Sequence, residues 1–292
     1  MSSTRRRAGD AYPRPESRWP LGHHGLRVSP YCLGAVADPA TLEAAYDAGI
    51  NFFFVTTDMH WPLYQGTRSG LAQLLARSGV SRDDIVVVAV SYVAQPEFTI
   101  HPMREVLACV PGLQRFDAFV IGGAYSHDFM LRLHAAQRRL DERASGITAV
   151  GASFHDRRAC QLAYNTGLVD IAYVRYNARH RGAEAEVFAR ATEDGSRTLL
   201  YNFNSTRGFI APDRYPELGL SRNHWKPALT DHYRFALAQP RLDGLLIGPR
   251  DPDQLAEFLA AVERGPLDAE EREYLIDLCD LADGYATHVD HA

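Results

Sequence analysis

The chain has 292 residues, a net charge of −5 and a hydrophobic content of 46%. This length suits one large α/β barrel or two small domains, and the weak negative charge gives no reason to expect nucleic acid or an anionic membrane surface as a partner. The four cysteines lie far apart, and no apolar run approaches the roughly 18 residues that a membrane span needs. We therefore expect a reduced, cytoplasmic protein.

The first residues differ in composition from the rest of the chain. Residues 1–20 are rich in Arg and Pro, and Arg5, Arg6 and Arg7 are not followed by the apolar segment of a signal peptide. The sequence therefore predicts a flexible tail over residues 1–20 and a single domain over residues 21–292.

Short apolar runs then alternate with segments of helical periodicity. The predicted strands lie at residues 26–35, 51–55, 84–91, 117–123, 147–153, 170–177, 197–202 and 245–248, and the predicted helices at 39–48, 67–77, 100–110, 127–143, 157–164, 184–193, 252–263 and 268–286. Such alternation calls for a parallel sheet with right-handed crossovers. Eight strands in about 250 residues predict a closed (β/α)₈ TIM barrel, whose functional face lies at the carboxyl ends of its strands.

One long segment, residues 205–225, follows the seventh strand without predicted regular structure. Loops of this length are uncommon in compact domains unless they are functional. We expect it to form a mobile lid over the carboxyl ends of the strands.

Asp58 and His60 follow the second predicted strand, at residues 51–55. Residues two apart in extended chain point to the same side, and a histidine beside a carboxylate suits general acid–base chemistry. A further histidine would complete a two-His-one-carboxylate metal site. The candidates for it are His127, His155 and His180. Each of these three also fits an ordinary helix start or loop, so the sequence leaves both interpretations open.

Several short motifs are similar to those of one enzyme family. They are Gly49-Ile50-Asn51-Phe52-Phe53, Gly151-Ala152-Ser153, Val174-Arg175-Tyr176-Asn177, Arg207-Gly208-Phe209-Ile210 and Gly248-Pro249-Arg250. Together they resemble the aldo-keto reductases over residues 26–271. The resemblance implies a barrel of that family's type, with NADP(H) and a small organic carbonyl substrate bound at its mouth. It also implies a set of cofactor-binding residues, in which Tyr201 stacks on the nicotinamide ring: Ser153, Arg175, Asn177, Tyr201, Ser205, Arg207, Gly248, Arg250, Gln254 and Glu257.

The chain departs from the family's catalytic tetrad of Asp, Tyr, Lys and His. By register, the four slots fall on Phe54 or Val55, Met59 or His60, Val90 or Ser91, and Gly122 or Gly123. The one lysine of the chain, Lys226, follows the seventh strand and cannot fill the lysine slot. The resemblance therefore indicates a tetrad-deficient oxidoreductase in which His60 replaces the tyrosine as proton donor and Asp58 orients it, with His180 and His155 as the next candidates.

Two other functions remain open at this point. One is a metal-dependent or cofactor-free enzyme on the same barrel, with a divalent transition metal held by Asp58, His60 and one of His127, His155 or His180. The other is a barrel that binds a ligand without catalysis. In each case the expected partner is a small molecule, with neither nucleic acid nor membrane, and the oligomeric state stays open.

Overall fold

The computed structural model describes residues 12–56, 58, 60–142, 146–191, 198–221 and 223–289. Its centre is a closed barrel of parallel strands, in which β10 pairs with both β9 and β3 and so completes the ring. The barrel strands are β3 (Tyr31–Leu33), β4 (Phe52–Thr56), β5 (Val86–Ser91), β6 (Ala118–Ala124), β7 (Ala149–Phe154), β8 (Ile171–Arg175), β9 (Leu199–Phe203) and β10 (Gly244–Ile247). The predicted (β/α)₈ barrel is therefore confirmed.

Helices connect these strands around the outside of the barrel. They are α1 (Ala40–Asp47), α2 (Gln65–Ala76), α3 (Pro102–Cys109), α4 (Phe129–Glu142), α5 (Arg157–Thr166), α6 (Ala183–Glu186), α7 (Leu229–Leu237), α8 (Pro252–Arg264) and the carboxyl-terminal α9 (Ala269–Val289). Because helices cover the sheet from outside and side chains fill it from inside, its strands are apolar on both faces, as in the fully buried Val86–Ser91.

Aromatic rings fill the barrel interior. Tyr173 of β8 packs against Phe54 of β4 and Tyr201 of β9, with 5.4 Å and 5.8 Å between ring centroids. Its hydroxyl also contacts the Sγ atom of Cys32 at 3.6 Å. Residues from opposite sides of the ring thus meet at one level, which leaves a packed core and no channel.

A short antiparallel hairpin closes the amino-terminal end of the barrel. It consists of β1 (Trp19–Leu21) and β2 (Leu26–Val28). The Trp19 indole N–H donates to the carbonyl of Asp243, just before β10. The side-chain oxygen of Asn51, just before β4, accepts a hydrogen bond from the backbone N–H of Ser29, just after β2. The first half of the predicted strand at 26–35 therefore belongs to this hairpin and not to the barrel.

The predicted tail boundary at residue 20 is too late. Tyr12 is 8% exposed, and its hydroxyl donates to the Arg234 carbonyl. The Tyr31 hydroxyl donates to the Pro13 carbonyl. Large aromatic groups thus hold residues 12–18 against the barrel, while residues 1–11 lie outside the described part of the chain.

Two elements after β8 differ from the sequence prediction. The helix predicted at 184–193 is only one turn of α6 followed by a 3₁₀ turn at Phe188–Arg190, and residues 192–197 are not described. Helix α7 was not predicted. Its residues from Thr230 to Leu237 are all buried, including the polar Asp231, His232 and Arg234, so its polar side chains do not mark a solvent-exposed face.

The segment expected to be irregular contains regular structure. Residues Pro212–Leu218 form a 3₁₀ helix, and the side chain of its central residue, Tyr215, is buried. The Tyr274 hydroxyl of α9 donates to the Trp225 carbonyl at 2.9 Å, and the two aromatic rings are in contact. Residues 205–225, apart from the undescribed residue 222, therefore pack on the carboxyl-terminal helix. Within the described residues, none of the helices has the length and apolar character needed to span a membrane.

Candidate functional site

The turn after β4 holds Asp58 and His60 side by side. One Asp58 carboxylate oxygen accepts a hydrogen bond from the backbone N–H of Tyr92, and the other accepts one from the backbone N–H of His60 at 3.4 Å. The Nδ1 atom of His60 lies 3.8 Å from Asp58 Oδ1. The Asp58 side chain is 7% exposed and the His60 side chain 38% exposed. The turn therefore fixes the carboxylate and leaves the imidazole open to the mouth.

Tyr92, at the end of β5, covers the other side of His60. The two rings lie 4.3 Å apart between centroids. Gly122, on β6, leaves room for the Tyr92 ring. A Cβ added at Gly122 would lie 2.6 Å from a ring carbon of Tyr92, so only glycine fits at this position. Burial and the charge of Asp58 raise the pKa of Tyr92 to about 12, so its hydroxyl stays protonated at neutral pH. Asp58, His60 and Tyr92 form one wall of the mouth.

The opposite wall is built from β7, β8 and β9. Arg175 lies two residues after the inward-pointing Tyr173, so it also points into the barrel, and Phe203 is its partner on β9. His155 follows the last residue of β7 at the same level. The rings of His155 and Phe203 meet edge to face with 5.6 Å between centroids. Three neighbouring strands thus place an imidazole, a guanidinium and a phenyl ring around the mouth.

His155 and His180 lie close to several arginines, among them Arg175. Burial, followed by the charge of Arg175, lowers the pKa of His155. Burial also lowers the pKa of His180, and the charges of Arg175, Arg179 and Arg207 add to the effect. Both histidines are therefore neutral at pH 7. They belong to this arginine-rich side of the mouth, and among the described residues no contact joins either of them to Asp58 or His60.

The alternative metal site is not assembled. Within the described residues, no group of three or more His, Cys, Asp or Glu side chains lies close enough to hold a metal ion. His127 instead stacks on Tyr125, with 5.6 Å between ring centroids. The proposed ligands follow different strands around the ring, and the turns that carry them do not converge on one point.

Arg132 is a buried cation that the sequence analysis missed. Its side chain reaches from α4 to the ends of two strands and donates from Nη2 to the carbonyls of Ser91 at 3.1 Å and Gly122 at 2.8 Å. Asp128, one turn earlier on α4, accepts from Nη1 at 3.2 Å. The available signal was its position three residues after Phe129, on the apolar face of a predicted helix, where a charged side chain needs buried partners.

Comparison with solved structures agrees with this architecture. The aldo-keto reductase AKR11C1 from Bacillus halodurans, in its holo form, superposes with a TM-score of 0.67 at 18% identity, over 90% of this chain and 96% of that chain. Its apo form superposes over the same shares with a TM-score of 0.62, also at 18% identity. No protein-family model matches the sequence, and neither does any curated protein. The chain has the aldo-keto reductase fold.

In this fold, Tyr201 does not lie where the sequence resemblance put it. Its side chain is fully buried, and its hydroxyl donates to the Ser29 carbonyl at the amino-terminal end of the barrel. It therefore cannot stack on a ring bound at the mouth. Phe203 points to the same side two residues further along β9, and its partly exposed ring reaches the mouth.

Three other predicted cofactor residues are engaged within the protein. Asn177 is fully buried, donates to the Asn204 carbonyl and accepts from the backbone N–H groups of Arg179 and His180. Ser205 is 2% exposed and its hydroxyl donates to Asn202. Ser153 accepts from the backbone N–H of Gly123 at 2.9 Å. These residues shape the loops around the mouth.

The remaining predicted cofactor residues lie on the surface after β9 and β10. Gly248, Arg207 and Arg250 are exposed, and neither guanidinium has a carboxylate partner among the described residues. A small cleft beside Arg250 lies between α7 and the start of α8, and its volume of about 10 Å³ has room for about one water molecule. It is lined by Leu229, Thr230, Tyr233, Pro249, Gln254, Glu257 and Phe258. Gln254 Oε1 accepts from the Arg250 backbone N–H at 3.0 Å, which fixes the edge of the cleft.

Proposed function

We propose that the chain is an oxidoreductase of aldo-keto reductase type, which uses NADP(H) and acts on a small carbonyl compound at the barrel mouth. The observation that carries the proposal is the pair of exposed arginines after β9 and β10, Arg207 and Arg250, neither of which has a carboxylate partner among the described residues. These side chains suit the phosphates of a dinucleotide, because arginine binds phosphate in a bidentate manner.

The residues present fit the two ends of the cofactor to different degrees. Arg207 and Arg250 suit the phosphates of the cofactor. The cleft with Gln254 and Glu257 has room for about one water molecule in this structure, so α7 and α8 would have to separate there to admit adenine. At the nicotinamide end, Phe203 offers the aromatic face that Tyr201 does not. The residues that would hold the carboxamide are engaged elsewhere, so that end of the cofactor would be held mainly by ring packing.

NADP(H), when bound, supplies the hydride that reduces a carbonyl carbon. The protein supplies the proton. Asp58 is held by two backbone N–H groups and lies 3.8 Å from His60 Nδ1, so it orients the imidazole. His60 then donates a proton from its other ring nitrogen to the substrate oxygen. Tyr92 packs on the imidazole and keeps water from that face.

A cofactor-free acid–base enzyme is the second candidate. It is favoured by the burial of Tyr201 and by the internal hydrogen bonds of Asn177, since both leave the nicotinamide end with few polar contacts. In that case Asp58 and His60 would move a proton on the substrate alone, and the cleft beside Arg250 would have no role in turnover.

Titration with NADPH, followed by its fluorescence or by calorimetry, separates the two candidates. We expect saturable binding with a dissociation constant below about 100 μM. Replacing Arg250 or Arg207 by Gln should weaken it about 10-fold or more, as loss of a charge-assisted hydrogen bond does. Arg138→Gln, on the exposed face of α4, is the matched control and should bind normally. Absence of binding at about 1 mM NADPH would remove the proposal and leave the cofactor-free candidate.

A further inference from the structure

Arg175 is a partly buried residue whose position on β8 directs its side chain into the mouth of the barrel. Its strand, β8, lies four places from β4 around the closed ring and is therefore diametrically opposite the strand that leads to Asp58 and His60. An eight-stranded barrel is only wide enough inside for side chains from its walls to meet. Arg175 and His60 therefore lie on opposite sides of the narrow mouth of the barrel.

The charge of Arg175 is not balanced within the described residues. The neighbouring arginines are balanced by α9, because Arg179 pairs with Asp283 at 2.5 Å and Arg181 with Asp280 at 2.9 Å. No carboxylate of the described residues pairs with Arg175. A half-buried charge without a partner is costly, and a ligand that supplies the partner gains by removing that cost.

The chemistry of Arg175 favours an anion over a carboxamide. A guanidinium only donates hydrogen bonds, and its planar fork matches the two oxygens of a carboxylate. A carboxamide also presents an N–H₂ group, and arginine cannot accept a hydrogen bond from it. His155 and His180 are neutral at pH 7 because their pKa values are lowered. The two imidazoles therefore add no charge beside Arg175, and Arg207 is a second guanidinium near His180 without a carboxylate partner among the described residues.

We propose that Arg175 binds the carboxylate of the substrate, so that the site takes small oxo- or hydroxycarboxylates with the reacting carbonyl directed at His60. The proposal deepens the function proposed above and rests on it for the reaction. The binding step can be measured without turnover. The edge-to-face rings of His155 and Phe203 then enclose the bound carboxylate, and Arg175 determines substrate specificity.

The test uses two acids, pyruvate and phenylglyoxylate, with their neutral methyl esters as matched probes. Ligand-observed NMR and calorimetry measure binding to the wild-type protein, first alone and then with NADP⁺. We expect each acid to bind at least about 10-fold more tightly than its ester. Arg175→Met should remove this preference, Arg175→Lys should retain part of it, and Arg138→Met should leave it unchanged. Melting temperatures confirm that each variant is folded.

Four results would overturn the proposal. The esters bind as well as the acids, no acid binds, Arg175→Met keeps the preference, or inorganic phosphate displaces the acids with higher affinity than they show. A fifth result, in which Arg175→Met loses NADPH as strongly as it loses the acids, would assign the arginine to the cofactor. Preference for the acids without any NADPH binding would support the carboxylate site and remove the oxidoreductase.

Discussion

The residue that best separates chemistry from structure is His60. Its ring is partly exposed and contacts Tyr92 and Asp58, while the apolar strand before it supplies the local packing. We predict that His60→Ala lowers kcat by roughly 10²–10⁴-fold through loss of proton transfer. His60→Gln should be nearly as inactive, because it keeps hydrogen bonding and loses the proton. Neither change should alter the free energy of unfolding by more than about 0.5 kcal/mol.

Steady-state kinetics and chemical denaturation of the same preparations check this prediction. His134→Ala, an exposed histidine on α4, is the control for the loss of an imidazole. Near-normal turnover of His60→Ala would move the acid–base role to His155 or His180. A large fall in stability would show instead that the imidazole supports the turn after β4.

Tyr201 and Phe203 allow effects on stability to be separated from effects on cofactor binding, because these two side chains on the same side of β9 lie at different depths. Tyr201→Phe removes the hydrogen bond to the Ser29 carbonyl and should cost about 1–2 kcal/mol of stability with NADPH affinity unchanged. Phe203→Ala should weaken NADPH binding several-fold, because it removes the ring that faces the mouth. Denaturation midpoints and cofactor titrations of the two variants give opposite patterns if this depth assignment is right. Weaker NADPH binding in Tyr201→Phe alone would contradict it.

At the scale of elements, α7 carries a buried histidine whose titration depends on folding. His232 is 2% exposed, and its Nδ1 atom has no hydrogen-bond partner within the described residues. Burial lowers its pKa to about 4, against the raising effect of Asp231. The unfolded chain therefore binds a proton below pH 6.5 that the folded chain does not bind until about pH 4. The contribution of His232 to the free energy of unfolding is therefore complete above pH 6.5, and up to about 3 kcal/mol of it is lost as the pH drops to 4.

Replacing His232 by Gln should flatten this pH dependence. Urea denaturation at several values between pH 7.5 and pH 4 measures it, with His134→Gln as the control, since that exposed histidine should leave the slope unchanged. Parallel slopes for the wild type and His232→Gln would show that other groups govern acid unfolding.

Helix α4 contributes to the mouth through Arg132, which ties the ends of β5 and β6 together. Removing its guanidinium leaves two strand-end carbonyls and Asp128 without that donor. We predict that Arg132→Met costs about 2–4 kcal/mol of unfolding free energy, measured by denaturation. Arg138→Met, on the exposed side of the same helix, should cost less than about 0.5 kcal/mol. Equal small effects would mean that the strand ends are held by the barrel alone.

At the scale of the whole molecule, α9, the last helix, is tied to two loops of the mouth. Arg272 pairs with Glu184 at 2.6 Å, and Asp280 and Asp283 pair with the arginines after β8. Tyr274 holds Trp225 at the end of segment 205–225. We predict that truncation after Asp268, or the milder Tyr274→Ala, speeds proteolytic cleavage in segment 205–225 several-fold. NADPH or a bound acid should slow the cleavage in the intact chain.

Mass spectrometry of timed digests locates and counts these cuts. Arg214→Ala, whose ion pair with Glu217 lies within the segment and away from α9, is the control. Cleavage that is equally slow in the truncated chain, with or without ligand, would identify the segment as a fixed wall and not as a lid.

The sequence by itself determined the barrel, because each strand is buried on both faces and therefore reads as a short apolar run between helical periods. It also placed Asp58 and His60 together, since this pair depends only on two residues of local chain. The burial of α7 lay beyond its reach because Asp231, His232 and Arg234 are polar residues that the fold covers, and α6 was overextended because a short periodic stretch does not show where a helix ends.

The tertiary structure alone decided which side chains share the mouth. Strand register places Phe203 at the mouth and Tyr201 in the core, because two residues along a strand move an inward side chain by a whole layer. Ring closure sets β8 opposite β4, so Arg175 faces His60 although 115 positions separate them in the chain. Arg132 joins two strand ends by reaching in from a helix. Such contacts depend on depth and on the order of strands around the barrel, which local residue patterns do not encode.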